Sequence, residues 1–242
     1  MSSMTVLVLG SGGREHALAL ACHRDPEVVA VHVAPGNPGT ASFATNHDID
    51  PCDCDAVVSL ARDLGADLVV VGPEAPLVAG VADALREAGI DCFGPSAEAA
   101  RLEGSKAFAK DVMAAAGVPT AGSRSCDDAE SVAAALDEFG APYVVKDDGL
   151  AGGKGVIVTK DRAEALAHAE RCFESGHLVV IEEYLDGPEV SLFAVCDGTR
   201  ALPMQPAQDF KRVGDGGVGP NTGGMGAYTP LPWAPDDLVE TV

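Results

Sequence analysis

The chain is short of basic residues. It carries 16 lysines and arginines against 37 aspartates and glutamates, so its 242 residues have a formal net charge of −21. A general nucleic-acid-binding protein needs a basic face to neutralise phosphates, and we therefore expect no nucleic-acid partner. Because the acids are spread over predicted helix faces and do not form a tail, they are typical of a solvated shell in a salt-rich cytoplasm. The composition thus predicts a halophilic source.

Other absences narrow the class of protein further. No apolar run is long enough to cross a membrane, so no membrane partner is expected. Residues 1–5 lack a basic segment, and the apolar run that follows ends in a glycine turn, so we predict a strand rather than a signal peptide and a cytoplasmic location. The seven cysteines include no CxxC, which favours free thiols. Cys52 and Cys54 beside His47 are spaced poorly for zinc, and no metal site is predicted within the chain.

Strand-like and helix-like segments alternate over the first hundred residues, which predicts an α/β fold with a parallel sheet. The predicted strands are residues 5–9, 28–33, 67–72 and 90–93, and one helix is predicted to follow residues 73–76 and to continue through Ala88. A loop rich in glycine or proline follows each strand. Because the carboxyl ends of parallel strands form a ligand crevice, these loops are candidates for a binding site.

The loop after the first strand, GSGGREH at residues 10–16, is only partly like a dinucleotide-binding turn. In G-x-G-x-x-G the third glycine would fall on Glu15, and no acidic residue for a ribose ends the second strand, which disfavours a nicotinamide oxidoreductase. A helix N-terminus with Gly12, Gly13 and Arg14 still suits one phosphate monoester, although a turn that needs glycine only for packing is the alternative. Asn37 and Glu74, on the next two loops, could bind sugar hydroxyls or an amine.

The most informative segment is KDDGLAGGKGV at residues 146–156. Predicted strands at 142–146 and 155–159 flank a glycine-rich turn that carries Lys146 and Lys154. The glycines let backbone N–H groups approach an anion closely, and the lysines supply charges for phosphate oxygens. A lid over a polyphosphate is therefore predicted, with an ordinary hairpin and solvated lysines as the alternative. A Walker loop is excluded because the chain has no GxxxxGK[ST].

Two later segments extend the candidate site. Residues 181–185, IEEYL, end a strand predicted at 178–183, and their backbone could pair with an adenine edge while Glu189 binds ribose hydroxyls; solvated acids at a strand end are the alternative. Strands are also predicted at 189–195 and 200–204. Residues 209–228 are predicted as a long glycine-rich loop carrying Lys211 and Arg212, and such cations in a very acidic chain favour contact with an anionic ligand.

Six segments occur in a familiar order: GSGGREHA at 10–17, APGNPGT at 34–40, VGPEAPL at 71–77, LEGSK at 102–106, the lysine–glycine segment, and PNTGGMGAY at 220–228. Together they resemble the phosphoribosylamine–glycine ligase (glycinamide ribonucleotide synthetase) family of the ATP-grasp superfamily. The resemblance implies a Rossmann-like substrate-binding domain at 1–103, a linking helix at 104–120, an ATP-grasp lid subdomain at 121–187 and the start of the second ATP-grasp lobe at 188–242.

The resemblance implies a reaction in which ATP phosphorylates glycine and the nitrogen of 5-phosphoribosylamine attacks the glycyl phosphate, giving glycinamide ribonucleotide, ADP and phosphate. It assigns ATP contacts to Lys106, Lys146, Gly152, Gly153, Lys154, Glu182, Glu183, Tyr184, Leu185 and Glu189. It assigns contacts with the phosphoribosylamine and glycine to Gly12, Gly13, Arg14, Asn37, Glu74, Met225 and Gly226. It places Lys211, Arg212, Thr222, Gly223 and Gly224 at the reacting centre.

The family's ligands for Mg²⁺ or Mn²⁺ are expected in a later part of the sequence, beyond this chain. We therefore expect the chain alone to be inactive, with a separate chain as one possible source of the remaining half. A nucleotide-binding fragment or module without catalysis is the alternative. Three positions depart from the family pattern: Asp147 and Gly152 stand where alanine is usual, and Phe210 stands where histidine is expected.

Overall fold

The computed structural model describes residues 3–150 and 155–241 and divides the chain into two compact units, one ending at Pro119 and the other beginning at Thr120. The elements of the first unit are β1 (Met4–Gly10), α1 (Gly13–Arg24), β2 (Val28–Pro35), β3 (Thr45–Asn46), α2 (Cys54–Leu64), β4 (Leu68–Val71), α3 (Glu74–Val78), α4 (Val81–Glu87), β5 (Asp91–Phe93), α5 (Ala97–Gly104) and α6 (Lys106–Ala116).

The strands of the first unit form one parallel sheet in the order β3-β2-β1-β4-β5. The chain runs outward from β1 in one direction through β2 and β3, and then in the other through β4 and β5. This reversal beside β1 is the switch point at which open parallel sheets bind ligands. The predicted Rossmann-like fold is therefore confirmed, and it brings the loops after β1, β2 and β4 to one edge.

The sheet is fixed by apolar burial on both faces. Leu7 and Leu9 pack into a core with residues of α2 and α4, whereas Val6 and Val8 pack into a second core with Ala19 of α1. Alternate residues of a strand face opposite sides of the sheet, so a continuous apolar run is what a strand covered on both sides requires. The loops that follow β1 and β4 thus begin at strands that are held on both faces by the core.

The helix predicted through Ala88 is interrupted. Its residues form α3 and α4, separated at Gly80, which has φ +93° in the left-handed region. Glycine adopts this conformation without steric cost, and the sequence pattern did not distinguish it from a glycine tolerated inside a helix. Helix α5 was not predicted either; its N-cap, Ser96, accepts a hydrogen bond of 3.2 Å from the Ala99 N–H.

Two histidines lie side by side near the short edge strand β3. Nδ1 of His32, on β2, is 2.9 Å from Nε2 of His47, so one ring nitrogen donates a hydrogen bond to the other. Burial and then the nearby charge of His47 lower the pKa of His32 below its ordinary value. The folded state thus favours the neutral imidazole.

The lowered pKa of His32 predicts that the folded protein loses stability in mild acid. The pKa of His32 is lower in the folded state than in the unfolded state, where it is about 6.5. The contribution of His32 to the free energy of unfolding is therefore fully present above the unfolded-state pKa and is lost as the pH falls through the folded-state pKa. We expect the His32→Gln variant to lose less free energy of unfolding than the wild type between roughly pH 7.5 and pH 5. Urea unfolding at several pH values measures the difference. A His23→Gln control should follow the wild type, and equal losses in all three proteins would contradict the prediction.

The second unit begins with an α/β layer. Its elements are β6 (Ser123–Cys126), α7 (Ala129–Phe139), β7 (Tyr143–Asp147), β8 (Val156–Thr159), α8 (Arg162–Glu174) and β9 (Val179–Glu182). The strands form an antiparallel sheet in the order β6-β9-β7-β8. Val145 and Ile181 pack with Leu136 of α7 and Ala165 of α8, which places both helices on one face. The two predicted strands around the lysine–glycine turn are confirmed as β7 and β8.

The rest of the second unit consists of small strand pairs. Its elements are β10 (Ala194–Cys196), β11 (Ala201–Pro203), β12 (Gln208–Asp209), β13 (Arg212–Gly214), β14 (Val218–Asn221), β15 (Ala227–Tyr228) and α9 (Leu238–Thr241). The pairs are β10 with β11, β12 with β15, and β13 with β14, all antiparallel. Among the described residues, no helix combines the length and apolar character needed to span a membrane.

Two predictions for this region were wrong. Residues 209–228 are not one long loop but two nested hairpins, supported by stacking of Phe210 on Tyr228 with ring centroids 5.8 Å apart. The strand predicted at 189–195 is reduced to β10 and an isolated bridge between Ser191 and Ala207. Glycine-rich composition predicts loops, but hairpins can also use glycine in their turns, and Gly216 and Gly217 both have positive φ there.

Candidate functional site

Three loops meet at the carboxyl edge of the parallel sheet. The Gly36 N–H donates to the Gly10 carbonyl at 3.1 Å, and the Asn37 side-chain amide donates to the Ser11 carbonyl at 3.0 Å. Arg14 Nη1 lies 3.1 Å from Glu74 Oε1. The structure therefore brings together Gly12, Gly13, Arg14, Asn37 and Glu74, the substrate-binding residues predicted for this edge.

Asn37 already has a structural task. Its side-chain oxygen accepts hydrogen bonds from the N–H groups of Gly39 at 2.8 Å and Thr40 at 3.0 Å. The Thr40 hydroxyl, which is fully buried, donates to the Asn37 carbonyl at 2.8 Å. Asn37 is thus the residue that folds the loop after β2, as asparagine commonly does in turns.

Glu15 is a residue of this edge that the sequence reasoning missed. It is 3% exposed, and its two oxygens accept hydrogen bonds from the Gly12 N–H at 2.7 Å and from Arg14 Nε at 2.8 Å. The Gly12 N–H, predicted to face a phosphate, therefore faces an internal carboxylate. The available clue was the acid at the position of the third glycine in G-x-G-x-x-G.

The two carboxylates keep Arg14 in place as a cation. Burial lowers the pKa of Arg14, but hydrogen bonds to Glu15 and Glu74 outweigh this and raise it above its ordinary value. The Arg14 side chain remains about half exposed, at 53%. Within the described chain its other terminal nitrogen, Nη2, makes no hydrogen bond to the protein, so the guanidinium can still donate to an anion.

Lys146 and Glu182 form an ion pair on the face of the antiparallel sheet opposite the helices. Lys146 pairs in register with Val180 and Glu182 with Val144, so the two side chains are diagonal neighbours on adjacent strands. Lys146 Nζ is 2.7 Å from Glu182 Oε2, with side-chain exposures of 26% and 8%. Glu182, which was predicted to contact adenosine, is therefore a buried partner of the predicted phosphate lysine.

The residues around the lid turn are only partly described. Gly152, Gly153 and Lys154 lie outside the described residues. Asp147, the unusual acid beside the predicted phosphate path, accepts hydrogen bonds from His177 Nδ1 at 2.8 Å and from the Gly149 N–H at 2.9 Å. Asp147 therefore links the start of the lysine–glycine turn to the segment between α8 and β9 through these two hydrogen bonds. No local sequence pattern predicts this contact between His177 and Asp147.

The other predicted nucleotide contacts occupy strand ends and helix starts. Glu183 follows β9, and its N–H donates to the Gly122 carbonyl at 2.9 Å. Tyr184 and Leu185 come next and are exposed, at 41% and 65%. Lys106 begins α6 in the first unit, next to the N-cap Ser105.

A cavity of about 840 Å³ lies in the second unit. Six of the residues that line it are Glu189, Asp209, Phe210, Lys211, Arg212 and Met225. Lys211 forms ion pairs with Glu189 and, at 3.1 Å, with Asp209. Burial lowers the pKa of Lys211, but hydrogen bonds to the two carboxylates outweigh it and raise the pKa above its ordinary value. The lysine stays charged, and an incoming anion must compete with Glu189 and Asp209 for it.

The predicted reacting-centre residues share one hairpin with Lys211. The Thr222 N–H and hydroxyl both donate to the Lys211 carbonyl, at 2.7 and 2.9 Å, and the Gly224 N–H donates to the Thr222 hydroxyl at 3.1 Å. Arg212 Nη1 donates to the Gly219 carbonyl at 2.8 Å. Gly223, Met225 and Gly226 lie in the connection between β14 and β15, where the Gly226 carbonyl accepts a hydrogen bond of 2.9 Å from the Phe210 N–H.

Over residues 3–150 and 155–241, no group of three or more histidine, cysteine, aspartate or glutamate side chains has a metal-binding arrangement. The structure thus has two candidate anion sites, an arginine held between two carboxylates at the edge of a Rossmann-like sheet and a lysine-bearing hairpin on an antiparallel sheet. These features are typical of proteins in which a Rossmann-like unit is followed by the antiparallel sheet of an ATP-grasp unit.

Comparison with known proteins identifies the family. Residues 4–103 match the N domain of phosphoribosylglycinamide synthetase, and residues 104–242 match its ATP-grasp (A) domain. The chain belongs to the phosphoribosylglycinamide synthetase family.

Individual relatives agree with this assignment. The chain is 66% identical over 239 residues to a phosphoribosylamine–glycine ligase of Streptomyces coelicolor, covering 99% of this chain and 56% of that protein. The crystal structure of a phosphoribosylamine–glycine ligase from Thermotoga maritima is 33% identical, with a TM-score of 0.79, covering 98% of this chain and 57% of that one. The biotin carboxylase domain of a 2-oxoglutarate carboxylase from Hydrogenobacter thermophilus, solved with MgADP and bicarbonate, shares the fold at 21% identity, with a TM-score of 0.71 over 88% of this chain and 51% of that one. The chain thus spans little more than half the length of the relatives it matches.

Proposed function

We propose that this chain carries the substrate and nucleotide sites for the ATP-dependent ligation of glycine to 5-phosphoribosylamine. The products are glycinamide ribonucleotide, ADP and phosphate, formed through a glycyl phosphate. The observation that carries the proposal is the unbroken match of residues 4–103 and 104–242 to the N and A domains of one synthetase family. We further propose the division predicted from the sequence, at 1–103, 104–120, 121–187 and 188–242.

The first unit would bind the phosphoribosylamine. Arg14, fixed by two carboxylates and half exposed, is suited to the 5-phosphate, and the start of α1 adds the partial positive charge of a helix N-terminus. Glu74 and Asn37 would contact the ribose or its amine. Gly12 and Gly13 would let the phosphate approach the backbone, although the Gly12 N–H is already shared with Glu15.

The second unit would bind ATP. Lys146 is suited to a phosphate oxygen, and Gly152, Gly153 and Lys154 would cover the polyphosphate. Glu182 would act through Lys146, while Glu183, Tyr184, Leu185 and Glu189 would contact the adenosine. The role proposed for Lys106 is supported by the sequence resemblance. Mg²⁺ or Mn²⁺ would accompany ATP, with ligands from sequence beyond residue 242.

The hairpin around Lys211 would hold the reacting centre. A carboxylate is a poor acyl donor and a mixed anhydride is a good one, so the task of this chain is to position groups and neutralise charge. Lys211 and Arg212 would supply positive charge near the transferred phosphoryl group. Thr222, Gly223, Gly224, Met225 and Gly226 would shape the glycine site, with Thr222 fixing the backbone of Lys211.

Glycine-dependent release of ADP from MgATP tests the proposal. Ligation requires release that depends on both glycine and phosphoribosylamine, either from this chain or from a chimera that continues into the remaining sequence of the Streptomyces coelicolor relative. Binding of MgATP without release in either protein would instead favour a non-catalytic nucleotide-binding module. No binding of MgATP by either protein would overturn the nucleotide assignment.

The acidic composition supports a narrower proposal, that the protein works in a salt-rich cytoplasm. The net charge of −21 creates repulsion that salt screens, since the Debye length falls to about 3 Å at 1 M. The free energy of unfolding should therefore rise in molar potassium chloride. A protein equally stable at low ionic strength would contradict this proposal and leave the ligase proposal unaffected.

A further inference from the structure

Glu15 connects two loops of the first unit. A Cβ built on Gly10 or on Gly72 would overlap the Glu15 side chain, and one built on Gly12 would lie 2.9 Å from its Oε2. Gly10 ends β1 and Gly12 lies in the loop that follows, whereas Gly72 belongs to the loop after β4. The Glu15 side chain therefore fills the space that these glycines leave, and a side chain at any of the three positions would have to displace it.

The same carboxylate orients Arg14. It holds Nε at 2.8 Å, and Glu74, across the site, holds Nη1 at 3.1 Å. A guanidinium is planar, so fixing two of its nitrogens also fixes the direction of the third. The two charged hydrogen bonds thus fix the direction in which Nη2 can donate, and the Arg14 side chain is half exposed, so that an anion can reach it.

We propose that Glu15 is a positioning residue for the phosphate of phosphoribosylamine, acting by orienting Arg14 and by locking the turn at residues 10–12. The inference rests on the proposed function of the first unit. Glu15 does not touch the substrate, because it is 3% exposed and both of its oxygens are engaged. It also accounts for the absence of the third glycine of a dinucleotide turn, because Glu15 fills that space itself.

The test measures the affinity of the chain for ribose 5-phosphate, a stable stand-in for phosphoribosylamine, by calorimetry. Glu15→Gln keeps the size of the side chain but places an amide donor against Arg14 or Gly12. We expect its Kd for ribose 5-phosphate to rise about tenfold, the loss of one charge-assisted hydrogen bond, with the Kd for MgATP unchanged. Glu27→Gln, at an exposed glutamate of the same unit, is the matched control and should bind like the wild type.

A double-mutant cycle separates positioning from general stability. If Glu15 acts through Arg14, then adding Glu15→Gln to Arg14→Gln should change the Kd less than twofold. Arg14→Lys is a second test that does not depend on the folding of a Glu15 variant. Lysine keeps the positive charge but lacks the planar set of N–H donors of a guanidinium. We therefore again expect the Kd for ribose 5-phosphate to rise about tenfold.

The outcomes distinguish this inference from the function on which it rests. Failure of the wild type to bind ribose 5-phosphate would overturn the proposed substrate site, and the role of Glu15 with it. Binding by the wild type, with equal affinity in Glu15→Gln and in Arg14→Lys, would overturn the role of Glu15 and leave the substrate site standing.

Discussion

Replacing Lys146 by methionine is expected to destabilise the second unit by about 2 kcal/mol, because it removes the cation that neutralises the buried carboxylate of Glu182. Removing one member of a fully buried pair costs about 3–5 kcal/mol, and the 26% exposure of the Lys146 side chain reduces the penalty here. Urea unfolding followed by circular dichroism measures the change. Adding Glu182→Gln to Lys146→Met should recover about half of the loss, because the buried charge is then removed.

The control for this prediction is an exposed ion pair that is joined by two hydrogen bonds instead of one. Arg124 holds Glu138 through two hydrogen bonds, of 2.8 and 3.0 Å, but the two side chains are 60% and 45% exposed. Solvent screens such a pair, so Arg124→Met should cost no more than about 0.5 kcal/mol. If Lys146→Met proved no more costly than Arg124→Met, burial of Glu182 would not be the cause.

The second large effect is expected from Gly72→Ala, which should destabilise the first unit by about 3 kcal/mol. The added methyl group would overlap Glu15, which two hydrogen bonds and its burial hold in place. The backbone of Gly72 is not in the left-handed region, so the cost comes from crowding alone. Thermal and urea unfolding of the variant measure it.

A matched substitution is available at Gly13, the first residue of α1. A Cβ on Gly13 meets nothing within 4 Å, so Gly13→Ala should change the free energy of unfolding by no more than about 0.5 kcal/mol. Shortening Glu15 to alanine removes the obstacle, and in that background Gly72→Ala should cost less than half as much. If Gly72→Ala lowered the free energy of unfolding equally in the wild type and in the Glu15→Ala variant, crowding against Glu15 would not be the cause.

The site was predictable where one local segment carries the chemistry. The lysine–glycine segment has strands on both sides of its turn, and the structure confirms them as β7 and β8. The loops after β1, β2 and β4 were predictable as neighbours because parallel strands end at one edge. The roles assigned to individual site residues stay predictions.

What the sequence did not reveal were the partners that the site residues find within the protein. Glu15 and Gly72 are far apart in sequence, as are Lys146 and Glu182, and His177 and Asp147. No local pattern encodes which carboxylate reaches which cation. The nested hairpins of residues 209–228 were missed for a related reason, since their strands are short and their glycines resemble those of a loop.

The sequence by itself determined the fold class, the order of the two units and the family. These follow from hydrophobic periodicity, from turn residues at fixed positions and from motifs in a fixed order, all of which are local properties of the chain. Only the tertiary structure decided that the carboxylate of Glu15 holds Gly12 and Arg14, that Glu182 neutralises Lys146 and that Lys211 lies between two carboxylates. Charge pairing depends on distance and burial, and both exist only after the chain has folded.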